Sequence, residues 1–166
     1  MTSEQTSAAT GGPAMSAGDG FAVTREIRIA APPEIVWEYF VDPERIKQWE
    51  AVDASTDPRP GGAMRIDMHG DRDIAVGEFV TLEPHSRVVF TWGWEGNEML
   101  PPGSSTVEVT LTPEGDETVV QLTHRDLPSQ ELADGHGLGW THYLGRLAIA
   151  AAGGDPGVDS MIESSR

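Results

Sequence analysis

No cysteine occurs among the 166 residues, which excludes disulfide staples, thiolate nucleophiles and cysteine-ligated zinc together. Positive charge is scarce. Eleven Lys and Arg stand against 27 Asp and Glu, for a formal charge of -16. Nucleic-acid binding needs clustered cations to neutralise phosphates, and no basic run is present, so polyanionic partners and anionic membrane surfaces are disfavoured. Long apolar stretches are missing as well: none approaches the roughly 20 residues of a bilayer-spanning helix. The opening "MTSEQTSAATGGPAMSAGDG" has neither the basic nor the apolar region of a secretion signal. These absences predict no membrane insertion and a cytoplasmic location. Phosphate-cradling patterns of the GxGxxG and GxxxxGKS/T kinds are also lacking, so no cofactor is expected.

What is present has the length of one domain with a single core. Residues 1–20, rich in Ser, Thr, Ala and Gly, read as a disordered leader, and residues 153–166 as a flexible tail, around a domain spanning 21–152. "FAVTREIRI" alternates from Phe21 to Ile29 and predicts a strand, with Arg25 the odd member of its inward set. Pro32 and Pro33 suit a helix start, and Val36, Trp37, Phe40 and Val41 form its apolar stripe. "DPE" at Asp42 caps a second short helix that buries Ile46 and Trp49. After the turn "DPRPGG", Met64, Ile66 and Met68 alternate with Arg65, Asp67 and His69 as a half-buried strand. Four more strands, "DIAVGEFVTLE", "RVVFTWGWE", "STVEVTLTPEG" and "ETVVQLTHRDL", are joined by short links, which implies an antiparallel meander. A long helix follows over "SQELADGHGLGWTHYLGRLAIAAAG", stopped by Gly153 and Gly154. The expected fold class is therefore α+β: strand, two short helices, a run of strands, and one terminal helix covering a curved sheet.

"RVVFTWGWEG" places Phe90, Trp92 and Trp94 on one strand face. A row this apolar cannot be left to water at roughly 25 cal/mol per Å², so it should face the terminal helix, which carries Trp140 and Tyr143. Together with Met64, Ile66, Met68 and Met99 these rings either fill a core or wall a cavity. Gly135, Gly137, Gly139 and Gly145 in the helix each cost roughly 1 kcal/mol against Ala, so there either the sheet approaches closely or space is left.

The segments "REIRIAAPPEIVWEYFVDPERIKQW", "RPGGAMRIDM", "VGEFVTLEPHSRVVFTWGWE", "TVEVTLTPEGDETVVQLTH" and "DGHGLGWTHYLGRL" resemble, in order and spacing, the activator of heat-shock-protein-90 ATPase homologue family of the START-like, or SRPBCC, superfamily. The resemblance covers residues 21–151. It implies a helix-grip fold, in which a curved antiparallel sheet wraps a long C-terminal helix and leaves a cavity between them. It also implies a small apolar or aromatic ligand, including lipids, and it admits a homodimer and a chaperone partner.

Three functional readings follow. The first is a non-enzymatic binding protein whose cavity is lined by Phe90, Trp92, Trp94, Trp140, Tyr143, Met64, Ile66 and Met68, with inward His124 as polar anchor. The competing reading, which is favoured for a lone inward histidine, has His124 bonded to backbone or to the following turn. The second is a cyclase, dehydratase or hydrolase acting on a polyketide-like substrate through His124 or Glu78. Strict alternation along "IAVGEFVTL" turns Glu78 inward, where Arg25 is a counter-ion; a bulge at Gly77 would bring Phe79 in instead. The third is a chaperone-regulating partner role. No metal site is expected: His136 and His142 lie about 240° apart on a helix, His69 takes an outward strand position and His85 a turn.

Overall fold

The computed structural model describes residues 20–70 and 72–159. The expected leader, apart from Gly20, and residues 160–166 of the expected tail lie outside the described residues. The elements are β1 (Phe21–Ile29), α1 (Pro33–Val41), α2 (Pro43–Ile46), β2 (Asp53–Thr56), β3 (Ala63–Asp67), β4 (Ile74–Glu83), β5 (Arg87–Trp92), β6 (Ser105–Glu114), β7 (Glu117–Leu127) and α3 (Gln130–Ala151). One seven-stranded sheet, ordered β1-β7-β6-β5-β4-β3-β2, is antiparallel throughout. Successive strands from β2 to β7 lie side by side, and β1 closes onto β7 at the far edge. This is the α+β arrangement that the strand and helix order implied, and the helix-grip fold that the family resemblance implied.

Local chemistry sets the helix starts. Pro33 opens α1, where its missing N–H is no loss. The Asp42 carboxylate accepts from the Glu44 N–H at 2.9 Å and so caps α2. Ser129 accepts from the Leu132 N–H at 3.1 Å at the start of α3, with Glu131 in the first turn. Beneath α3, Leu122, Val120 and Val109 from the sheet meet Leu144 and Leu147 from the helix, all of them buried.

The structure corrects the sequence reading in three places. β2, "DAST", was not anticipated: it is a four-residue edge strand paired with β3, and it carries no apolar alternation to announce it. In β4 the register shift falls between Phe79 and Thr81, one pair beyond the expected bulge at Gly77. Gly77 instead serves close backbone approach, since a methyl there would stand 1.8 Å from the Thr91 carbonyl oxygen. The outcome turns Phe79 fully inward and leaves Glu78 exposed. Finally, residues 153–159 fold back on α3. Arg146 donates to the carbonyls of Pro156 and Gly157 at 3.4 and 3.1 Å, and Asp159 is buried.

Candidate functional site

The aromatic row of β5 meets the first half of α3. Trp92 and Trp140 lie 5.3 Å apart between ring centroids, and Trp92 and Trp94 lie 5.4 Å apart nearly edge-to-face, separations at which indoles attract beyond simple burial. These three rings, with Tyr143 and Met68, wall a cavity of about 300 Å³. That volume sits at the lower end of the range for small-molecule sites. Met68, Trp92, Trp140 and Tyr143 are buried at its depth, whereas Asp73, Glu131 and Gly135 stand exposed at its mouth.

The helix glycines divide between the two roles expected of them. Gly135 and Gly139, one turn apart, line the cavity, and a methyl on either would meet nothing within 4 Å. Gly137 faces the other way, where a methyl would come 2.5 Å from the Arg25 guanidinium. Arg25 crosses beneath the helix at that point and donates through Nε to Thr141 Oγ1 at 2.8 Å.

Not every predicted lining residue reaches the cavity. Phe90 is core, packed between Phe79 and Trp92 at centroid distances of 6.3 and 6.1 Å. Met64 and Ile66 are buried in the same core, and Met99 is 64% exposed. Glu78 lies on the outer surface, so Arg25 has no counter-ion there. His124 is completely buried and both ring nitrogens are engaged. Trp140 Nε1 donates to Nδ1 at 3.1 Å, so Nε2 carries the hydrogen and donates to Ser105 Oγ at 2.8 Å; Ser105 in turn donates to the Trp92 carbonyl at 2.6 Å. Burial, and then neighbouring His136, hold the His124 pKa well below the ordinary 6.5. His124 orients the two tryptophans from behind and offers the cavity no free atom.

Sequence reasoning missed two polar groups of the wall. His136 accepts from Trp94 Nε1 at 3.0 Å through Nε2 and donates through Nδ1 to the Leu132 carbonyl at 2.8 Å; burial lowers its pKa. The signal was available, because positions 132, 136, 139, 140 and 143 form one helical face. His69 was placed outward by alternation, but β3 ends at Asp67 and the alternation ends with it. Its Nδ1 lies 2.6 Å from Asp73 Oδ2, and its Nε2 lies 3.3 Å from the Tyr143 hydroxyl. Tyr143 donates to Asp159 at 2.6 Å, and Asp159 also pairs with His142 Nε2 at 2.7 Å. Burial, reinforced by Asp159, raises the Tyr143 pKa, so its hydroxyl stays protonated.

One donor in this ring cluster is unpaired: the buried Nε1–H of Trp92 has no acceptor among the described residues. Leaving such a group unsatisfied costs about 1–3 kcal/mol. Beyond Met68 a second cavity of about 380 Å³ is lined by Glu50, Arg146 and Asp159 among others. Among the described residues no group of three or more His, Asp or Glu could hold a metal, and no helix is long and apolar enough to cross a membrane.

Comparison with known proteins places this architecture. The family described as Activator of Hsp90 ATPase homolog 1-like protein matches residues 30–152. The solution structure of an AHSA1-like protein from Rhizobium etli superposes with a TM-score of 0.68 at 45% identity, covering 86% of this chain and 88% of that one. The crystal structure of CalU16 from Micromonospora echinospora gives 0.68 at 29% identity, covering 84% and 81%. An uncharacterised protein of Schizosaccharomyces pombe is 32% identical over 102 residues, or 54% of this chain, and the match spans only 29% of that relative's length.

Proposed function

The chain belongs to the Activator of Hsp90 ATPase homolog 1-like family, and on that footing we propose that it holds a small apolar or aromatic molecule between β5 and α3. One observation carries the proposal: three indoles and a phenol, from Trp92, Trp94, Trp140 and Tyr143, surround a space that neighbouring side chains leave open. Protein interiors are close-packed, so an aromatic space of about 300 Å³ left open suits a ligand whose apolar body supplies the missing contacts.

Gly139 separates binding from stability. Gly139→Ala removes a helix glycine where a methyl has room, so it should raise stability by about 0.5–1 kcal/mol. Gly139→Leu keeps the helical preference but fills the cavity. It should weaken a naphthalene-type probe at least about tenfold, read by calorimetric titration, with the thermal transition preserved. Gly145→Ala, also in open space but away from the cavity, should stabilise without touching affinity. Equal affinity in parent and Gly139→Leu would remove the cavity as the binding site.

A second reading, acid/base catalysis in the same cavity, rests on His69 with Asp73 rather than on His124 or Glu78, because a carboxylate 2.6 Å from Nδ1 orients a ring whose other nitrogen faces the site. It predicts turnover abolished in His69→Ala with probe affinity retained.

A further inference from the structure

We infer that the molecule this cavity takes is an amphiphilic cation: an apolar body at depth and an ammonium group at the mouth, between the carboxylates of Asp73 and Glu131 and beside Trp94. The inference rests on the cavity reading above and adds the charge of the ligand to it.

The charged side chains lining the cavity decide the sign. Asp73 and Glu131 are carboxylates at the exposed end, and among the described residues no Lys or Arg lines the cavity. Neither histidine in the wall offers a free positive charge. His136 spends Nε2 as an acceptor for Trp94 and Nδ1 as a donor to Leu132, a pattern only the neutral ring can satisfy. His69 is held on Asp73 at Nδ1, so any charge there is matched by its own carboxylate. Aromatic faces attract cations through their quadrupoles, tryptophan most strongly. Three indoles and a phenol ring form this wall.

One feature of the fold favours the opposite sign. The N-terminal turn of α3 opens at the same mouth, and a helix start carries roughly half a positive charge. Two local groups offset it. The Ser129 side chain occupies the Leu132 N–H, and Glu131 lies in that first turn. An anion would therefore meet the Glu131 carboxylate and the Asp73 carboxylate shared with His69, against one screened partial charge. The overall charge of -16 adds a long-range field that concentrates cations at the surface.

Polarity also runs along the cavity in the order such a molecule needs. Met68, Trp92, Trp140 and Tyr143 are buried, while Asp73 and Glu131 are in contact with solvent. An ammonium at the mouth stays partly hydrated, and its apolar body lies against the buried rings of Trp92 and Trp140.

Three matched naphthalene probes test the inference, carrying a trimethylammonium, a hydroxymethyl or a carboxylate group, titrated by calorimetry into the full chain. The ammonium probe should bind at least about tenfold more tightly than the neutral one, and the carboxylate weakest. The preference should shrink severalfold between about 20 mM and 500 mM salt. Glu131→Gln, at an exposed position, and Asp73→Asn, where asparagine tolerates the left-handed backbone (φ 54°), should together reduce it to about twofold. Equal affinity for ammonium and neutral probes, or a preference unchanged in the double variant, overturns the cationic assignment and leaves the cavity reading standing. No binding by any of the three overturns both.

Discussion

Glu50→Gln is expected to stabilise the protein strongly at pH 9 and hardly at all near pH 4. Glu50 is 5% exposed, and burial alone pushes its pKa from 4.5 up to about 8. Below pH 4.5 the group is protonated in both folded and unfolded chains and has no effect on the balance. Between 4.5 and 8 the unfolded chain has released a proton that the folded chain retains, so stability falls as pH rises. Above 8 the folded protein carries the full burden of a buried charge, on the order of 4–5 kcal/mol for a shift of this size. Glutamine keeps the shape and cannot ionise. Urea unfolding at pH 5, 7 and 9 should show the two proteins diverging steadily with pH; parallel curves would mean that Glu50 is not desolvated in solution.

His124→Ala is the second large effect, and it should appear in stability rather than as the selective loss of a catalytic group. Removing the ring orphans the Trp140 N–H, takes from Ser105 Oγ the donor it accepts from, and opens a hole behind the aromatic wall. Deletions of buried aromatic size cost about 3–5 kcal/mol, and the orphaned donor pushes the loss toward the upper end. His124→Gln, which can still accept from Trp140, should recover part of it. The pH sign is opposite to that of Glu50. With its folded pKa depressed, His124 contributes stability that is present above pH 6.5 and lost as pH falls toward its folded value. A variant with unchanged unfolding free energy and lost activity would return His124 to a direct role in the site.

The strand and helix order was legible because it rests on period. Phe21–Ile29 alternates and Trp140, Leu144 and Leu147 recur at helical spacing, and both segments form as read. The facing of Trp92 toward α3 followed from the same logic. What periodicity could not see was where it stops. β3 ends two residues before His69, so a residue assigned to solvent lies at the cavity wall. β4 inserts one residue after Phe79, which exchanges Glu78 for Phe79 on the inner face. β2 has no apolar alternation at all and exists because β3 offers it an edge. The engagement of His124 on both nitrogens needs Ser105 across the β6–β7 hairpin and Trp140 from α3 at once, a meeting of three elements that the alternation of one strand does not encode.

The backward run of residues 153–159 bears on where this domain can be cut. The family match stops at residue 152, yet Tyr143, His142 and Arg146 all direct hydrogen bonds to atoms beyond that point. A protease nick or a fusion junction at the family boundary would unfasten three helix side chains simultaneously, one of them the phenol at the cavity's depth. The final clasp is thus part of the domain's architecture, and a shortened version would have a differently supported cavity wall.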